Sequence, residues 1–449
     1  MNEMRHLIDS QQVQIEKLQS TIEQQQSLLD KTMKAISVNS ATAGTSTDAS
    51  SQNNAAPANA VAQNNPQASA PSAPASQSSA NPKQAAGDTS KPAAPKSELP
   101  AALKGFKPIA TFYLSYQAGS QYSGSPNTTV DYNSFQLKRG YFGADMDINS
   151  NLSARFVSDV TMDSTGDVKL RAKYIYAKFH WTGNNAITNP YVEFGLAHMP
   201  WLDFEENLNG FRMQDTMFLE RNSIFNSADI GVLVGSDLGG SMGSDYRSKV
   251  DSKYAGRYGS WQVGVYNGGG YHAAEKNTNK VFEGRLSIRP VPGAVPGLQF
   301  TVFGVVGKGN VAVANGIQPP DWKSFDGMVS YESQYFTFSG QGYFGTGNQG
   351  GNVLQSDKIT AADQKGFSVF AAVHIPTPHL GEKITVLGRA DEFNLNTSTH
   401  SDVQRRYIAG VAFHLYKSNI LLFDFERLNH SNSTIPGENR GQITMQMSL

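Results

Sequence analysis

The chain has 449 residues, a formal charge of -1, 39% hydrophobic residues, 42 glycines and no cysteine. A balance so close to neutral argues against a general nucleic-acid binder, which would carry a basic excess, and the lack of cysteine excludes disulfides and thiolate metal sites. After residue 37 there is no long helix with a buried stripe, and no apolar run near the eighteen or so residues that a spanning helix needs.

Met1, Ile8, Ile15, Ile22, Leu29 and Ile36 recur every seventh residue, with Met4, Gln11, Leu18, Gln25 and Thr32 at the second seam position. This heptad predicts a short coiled-coil helix over 1–37. The second position mixes Leu with Gln and Thr, so two strands are not specified over three. The alternative is a lone amphipathic helix docked on the body of the protein. No apolar signal segment precedes the heptads, so an exported chain would be mature, trimmed or started late. Residues 38–104 are almost entirely Ala, Ser, Pro, Gln, Asn, Thr and Gly. They cannot bury a core and are expected to form a disordered linker, on the order of 45 Å end to end as a flexible coil.

Residues 105–449 alternate. Ala110, Phe112, Leu114, Tyr116 and Ala118 share one face of a strand, and Thr111, Tyr113, Ser115 and Gln117 the other. The beat recurs at Phe142 to Ile148, Leu152 to Val160, Ile175 to Trp181, Val192 to Leu196 and onward to Ile443, Met445, Met447 and Leu449. About sixteen such segments are countable, with weaker ones near Ile230 and Met328. Roughly 345 residues shared among sixteen leaves about 21 for each strand and its connection, the measure of ten-residue tilted spans with alternately short and long loops. The wet faces carry charge at mid-strand: Arg155, Asp159, Glu193, Glu283, Arg285, Arg289, Arg389, Asp391, Asp424 and Glu426. Sandwich strands are shorter and more evenly spaced, and no blade-length repeat is visible. The fold class expected is therefore all-β, a transmembrane antiparallel barrel of about sixteen strands.

Several ordered pieces carry a resemblance. Lys138 and Arg139 open the second strand. Tyr191 to Gly195 (YVEFG) leads into Met199-Pro200-Trp201, then a loop to Phe218–Arg221 (FLER). Ala228 to Gly231 (ADIG), Gly264 to Gly268 (GVYNG), Gly284 to Pro290 (GRLSIRP), Gly366-Phe367 and Gly388 to Asp391 (GRAD) follow. Residues from about 106 to 449 resemble the phosphate-selective porins of Gram-negative outer membranes. The resemblance implies a sixteen-stranded, trimeric, water-filled channel; the N-terminal helix and linker lie outside it. Two departures stand out. The chain ends on Leu449 where the family ends on an aromatic residue, so a last residue or two is expected beyond it. The wet faces also mix signs where the family stacks cations.

The pore-lining and constriction candidates are Arg139, Arg155, Lys178, Arg212, Arg221, Arg285, Arg289 and Arg389 among the cations, with Asp159, Glu193, Glu283 and Asp391 among the anions. Rings of one sign select ions, while mixed signs give a transverse field of weak preference. The connection from Met199 to Ser227 is too long for a hairpin turn and is the candidate constriction loop. Folded inward, its Arg212 and Arg221 would face the wall arginines. Alternatively, Glu220 and Arg221 only latch the loop to the wall. The loop from Thr346 to Gln364 reads as outer-surface decoration, and glycine-rich Gly235 to Gly243 as a turn or flexible connector.

Nine histidines are scattered without metal-ligand spacing, and Ser and His adjoin only by chance, as at His430-Ser431. No enzyme, cofactor or metal is expected. The reading is an outer-membrane porin for passive diffusion of small hydrophilic solutes, with anions such as phosphate favoured. Its expected partners are membrane lipid, two further copies in a homotrimer and, through residues 1–37 in the periplasm, the cell wall. The rival is a structural anchor with a narrow or plugged lumen that ties the membrane to the wall.

Overall fold

The computed structural model describes residues 105–449 apart from 164, 314–315, 378–382 and 400–401. The expected coiled coil and linker lie outside the described residues. Sixteen strands follow one another: β1 Phe106–Tyr122, β2 Thr129–Asp147, β3 Leu152–Met162, β4 Val168–His180, β5 Ile187–His198, β6 Ala228–Leu238, β7 Gly259–Tyr266, β8 Val281–Ile288, β9 Leu298–Lys308, β10 Asp321–Glu332, β11 Phe336–Thr346, β12 Asp363–Pro376, β13 Lys383–Asn394, β14 Val403–Tyr416, β15 Asn419–His430 and β16 Glu438–Ser448. Each pairs antiparallel with its sequence neighbour, and β1 pairs with β16 to close the barrel. No edge is left to pair elsewhere, which is what a backbone in hydrocarbon requires.

The alternation sorts the faces as expected. Phe142, Phe156, Phe194, Phe282 and Phe344 are exposed on the outside, whereas Asp159, Thr301, Thr385 and Thr444 are buried on the inside. A water-soluble protein would invert this arrangement; a bilayer solvates it. In the closing seam, outward Leu114 and Tyr116 oppose Met445 and Ile443. Inward Gln117 and Gln442 oppose one another, joined by a 3.1 Å side-chain hydrogen bond. β1 and β2 exceed ten residues, at 17 and 19, because their hairpin stays paired out to Tyr122 and Thr129.

Two irregularities matter for the interior. Between β1 and β2 the register slips at Tyr113/Leu114, so that Arg139 and Leu137 face adjacent partners and Lys138 is the extra residue. Between β3 and β4 the slip at Val157/Ser158 leaves Lys173 as the extra residue. A bulge re-aims side chains, and both lysines join their neighbours on the inner face.

The connection 199–227 folds into the barrel as two short helices, α1 Leu202–Leu208 and α2 Phe218–Arg221, with extended chain between. It is seated by apolar contact. Trp201, Leu202, Phe204, Met217, Phe218, Leu219 and Ile224 are buried against Phe303, Val305, Trp322, Tyr343 and Phe393 of β9, β10, β11 and β13. Trp201 lies 5.3 Å from Phe303, and Phe218 5.7 Å from Phe393, between ring centroids. Each such side chain contributes on the order of 1.5–3 kcal/mol by leaving water. Along β9 this gives an apolar residue on both faces, with Val302 and Val306 outward and Phe303 and Val305 inward.

Two connections differ from the sequence reading. Gly235 lies within β6, and only 239–243 is the turn; the segment 239–258 carries α3 Ser244–Lys249 and packs Tyr254 and Ala255 inside. The loop after β11 is not only outer decoration. Its Asn348 and Gln349 are buried and hold the constriction loop: Asn348 donates to the Ser223 carbonyl (2.8 Å), and Gln349 accepts from the Asn226 side-chain amide (2.7 Å).

Candidate functional site: the inner wall and its constriction loop

All twelve candidate residues lie on the barrel's inner side or on the inward loop, but in different surroundings. On β2–β5, Arg139 donates to Asp159 at 2.8 and 2.9 Å. Arg155 donates to Asp145 at 2.7 and 3.1 Å. Lys178 meets Glu193 at 3.2 Å, and Glu193 also holds His198 at 3.0 Å. With Lys138, Lys169, Arg171 and Lys173, the inner face of β2–β4 carries seven cations. The sequence reading missed Lys138 and Lys173 as wall residues. Their signal was a step of three in the outward row: Leu137 to Gly140, and Ala172 to Ile175.

Opposite stands the loop. Arg212 donates to Glu220 at 2.5 and 2.7 Å and to the Tyr141 hydroxyl at 2.8 Å, and lies 2.8 Å from Glu206. Burial opposes charge on Glu220, but the Arg212 guanidinium, with Arg139 behind it, outweighs burial and draws its carboxyl down to about 2. Arg221 lies 3.3 Å from Asp215 and 3.4 Å from Glu426 of β15. Glu426 also receives Arg406 and Arg440, the latter at 2.6 Å. Lys138 donates to the Met213 and Gln214 carbonyls and to Gln442. The loop is thus tied to β2 and to β15–β16 as well as seated on β9–β13. Glu220 and Arg221 act as latches in this structure, and Arg212 is itself engaged.

Three candidates depart from the expectation that they line water. Arg285 is 2% exposed and Arg289 fully buried. Arg285 lies 4.4 Å over the Phe204 ring and 4.8 Å over that of Tyr254, and donates to the Pro200 carbonyl at 3.0 Å and Ser287 at 2.6 Å. Arg289 donates to the Gly256 carbonyl and lies 5.1 Å over Tyr246. Both are covered by segments folded against the wall, and they brace those segments. Glu283 is buried, and neither of its oxygens has a hydrogen-bond partner among the described residues. Arg389 and Asp391 pair with one another at 2.7 and 2.9 Å, and Arg389 also donates to the Thr216 carbonyl of the loop.

The second inward segment was invisible to the sequence reading. Lys253 meets Asp203 of α1 at 2.5 Å, and the Tyr254 hydroxyl donates to the same carboxylate at 2.6 Å. Burial opposes charge on Asp203, yet Lys253 and His198 hold its carboxyl well below the usual range. The constriction loop is therefore clasped from the end of the barrel that carries the termini.

Cavities remain on both sides of the loop. Toward the outer loops lies one of about 580 Å³, lined by Tyr132, Ser134, Gln136, Arg221, Arg406, Glu426 and Arg440 among others. Toward the termini lies one of about 440 Å³, bordered by Tyr113, Tyr141, Arg155, Lys173, Tyr174, Asp203, Glu206 and Arg212. His430 Nδ1 meets Asp402 at 2.6 Å, and the Ser431 hydroxyl also points to Asp402 rather than to His430 Nε2. This is not the geometry of an activated nucleophile. No cluster able to hold a metal occurs among the described residues.

Searches by sequence against family models and curated proteins return no match. By structure, the chain is similar to Pseudomonas putida OprB at high pH, with 10% identity, a TM-score of 0.51 and coverage of 78% of this chain and 95% of that one. It is also similar to the anion-selective porin from Comamonas acidovorans, with 10% identity, a TM-score of 0.50 and coverage of 77% of this chain and all of that one. At this identity the likeness is one of fold, and it places the chain among closed sixteen-stranded antiparallel transmembrane barrels built as porins are.

Proposed function

We propose that the chain is an outer-membrane porin, a channel for passive diffusion of small hydrophilic solutes, with its termini on the periplasmic side. The observation that carries this reading is the pairing of an apolar exterior with an inner wall on which β2–β4 carry seven cations, beside a loop bearing Asp203, Glu206 and Glu220. Unlike charges across a narrow lumen order water and solute dipoles, and small charged solutes pass where apolar ones of equal size are held back. A preference for anions, phosphate included, is supported by Lys138, Lys173 and the three wall arginines, and is moderated by the loop acids. Assembly as a homotrimer and tethering to the cell wall through residues 1–37 belong to the same proposal.

The test is conductance of the purified chain in planar bilayers. Steady, uniform steps support the porin. Folded protein that stays silent favours the anchor, a reading to which the ties of the loop to β2, β9–β13 and β15–β16 lend some weight. In a salt gradient, Arg155→Gln should shift the reversal potential toward cations. Arg285→Gln should not, because Arg285 is sealed behind the loop.

A further inference from the structure

The cavity on the terminus side of the loop contains a lysine with no described carboxylate at ion-pair distance; Asp159 and Glu220 act on it only from further off. The bulge in β4 turns Lys173 inward. Its ammonium lies 4.5 Å from the Tyr141 ring centroid and 5.3 Å from that of Tyr174. The residue is 3% exposed and forms no ion pair with any described residue. Two aromatic faces and two carboxylates beyond ion-pair distance offset part of the cost of burying that charge, and an anion in direct contact would offset the rest.

The loop brings the opposite sign to the same place. Glu206 and Asp203 lie within electrostatic reach of the Tyr174 hydroxyl. Asp203 is taken by Lys253 and Tyr254. Among the described residues Glu206 pairs with Arg212 alone, and its Oε1, 2.8 Å from that guanidinium, is out of line for a hydrogen bond. A dianion seated at Lys173 would be repelled by the loop acids, and a simple cation seated at Glu206 would be repelled by Lys173 and Arg155. A solute carrying both signs on adjacent atoms meets neither objection. The rings of Tyr113 and Tyr141 line the same cavity, a surface for an apolar or aromatic side chain. The volume of about 440 Å³ falls in the usual range for small-molecule sites, roughly 300–1,000 Å³.

We propose that this cavity binds zwitterionic α-amino acids with large apolar side chains, the carboxylate meeting Lys173, the ammonium meeting Glu206 and the side chain lying along the tyrosines. This rests on the channel reading, of which it names a solute class. Its test is made at equilibrium and needs no ion flow. Calorimetric titration of the full chain in detergent would use L-phenylalanine, 3-phenylpropanoate, phenethylamine and inorganic phosphate. Phenylalanine is expected to bind at least tenfold more tightly than each of the other three. Lys173→Met should weaken it tenfold or more, and Lys173→Arg should restore most of the affinity. Glu206→Gln should bring 3-phenylpropanoate level with phenylalanine. The proposal is overturned if phenylalanine gives no binding, if 3-phenylpropanoate or phosphate binds the unaltered chain as tightly, or if Lys173→Met leaves phenylalanine binding unchanged. Binding by a chain that conducts no current would overturn the channel reading and leave the site standing.

Discussion

Glu220 shows what a buried ion pair does in this lumen. Its carboxylate is 9% exposed and takes both forks of Arg212. Removing one partner of such a pair strands the other, at a cost of roughly 3–5 kcal/mol. Glu220→Gln should therefore loosen the loop by about that amount, seen as a lower midpoint in urea unfolding or faster proteolysis between α1 and α2. The pH dependence has a definite sign. The folded carboxyl lies below its ordinary value, so its stabilisation is complete above the unfolded pKa of about 4.3. It is lost as pH falls toward about 2. Channel noise from loop motion should thus stay flat from pH 7 to pH 5 and rise only at stronger acidity; a rise near pH 6 would mean another group holds the latch.

At the scale of elements, the constriction loop depends on small residues beneath it. A Cβ on Gly366 of β12 would sit 2.5 Å from the Glu392 carbonyl of β13, 2.7 Å from the Phe393 ring and 2.9 Å from that of Phe218. Gly366→Val should unseat α2 and strain the β12–β13 pairing, and in bilayers the variant should show larger or less uniform conductance steps. The clasp from 239–258 makes a parallel prediction. Asp203→Asn weakens the contacts to Lys253 and Tyr254, so limited proteolysis near Lys249 should speed up several-fold with the strands intact. Unchanged cleavage would mean that apolar packing of Tyr254 on Phe204, 5.0 Å apart between ring centroids, holds the segment alone.

Across the whole molecule, much was legible because the barrel's two solvents write a period of two into every strand. The count of sixteen and the outward rows could be read from Phe142, Phe156, Phe194 and their alternates, and the candidate constriction loop from the length of the connection 199–227. Three things could not, each for a physical reason. A bulge adds one residue and looks like noise, so Lys173 was passed over although Ala172 and Ile175 are three apart. An inward residue covered by a loop has the same parity as one that meets water, so Arg285 and Arg155 were indistinguishable. The inward fold of 239–258 depends on Tyr254 finding Phe204, a contact without local periodicity. The inner apolar row of β9 was the available hint that something packs inside. A wall meant for water alone would not place Phe303 and Val305 there.

The central claim is that outward side chains meet lipid and inward ones meet water. A chain without cysteine allows a direct measurement. Single substitutions Ser153→Cys and Lys178→Cys on the inner face, and Phe156→Cys and Ile175→Cys on the outer face, would be placed in lipid nanodiscs and exposed to a membrane-impermeant thiol reagent. The inner pair should react and the outer pair should stay unlabelled until detergent is added. Equal labelling of all four, or labelling of Phe156→Cys and Ile175→Cys alone, would contradict the account.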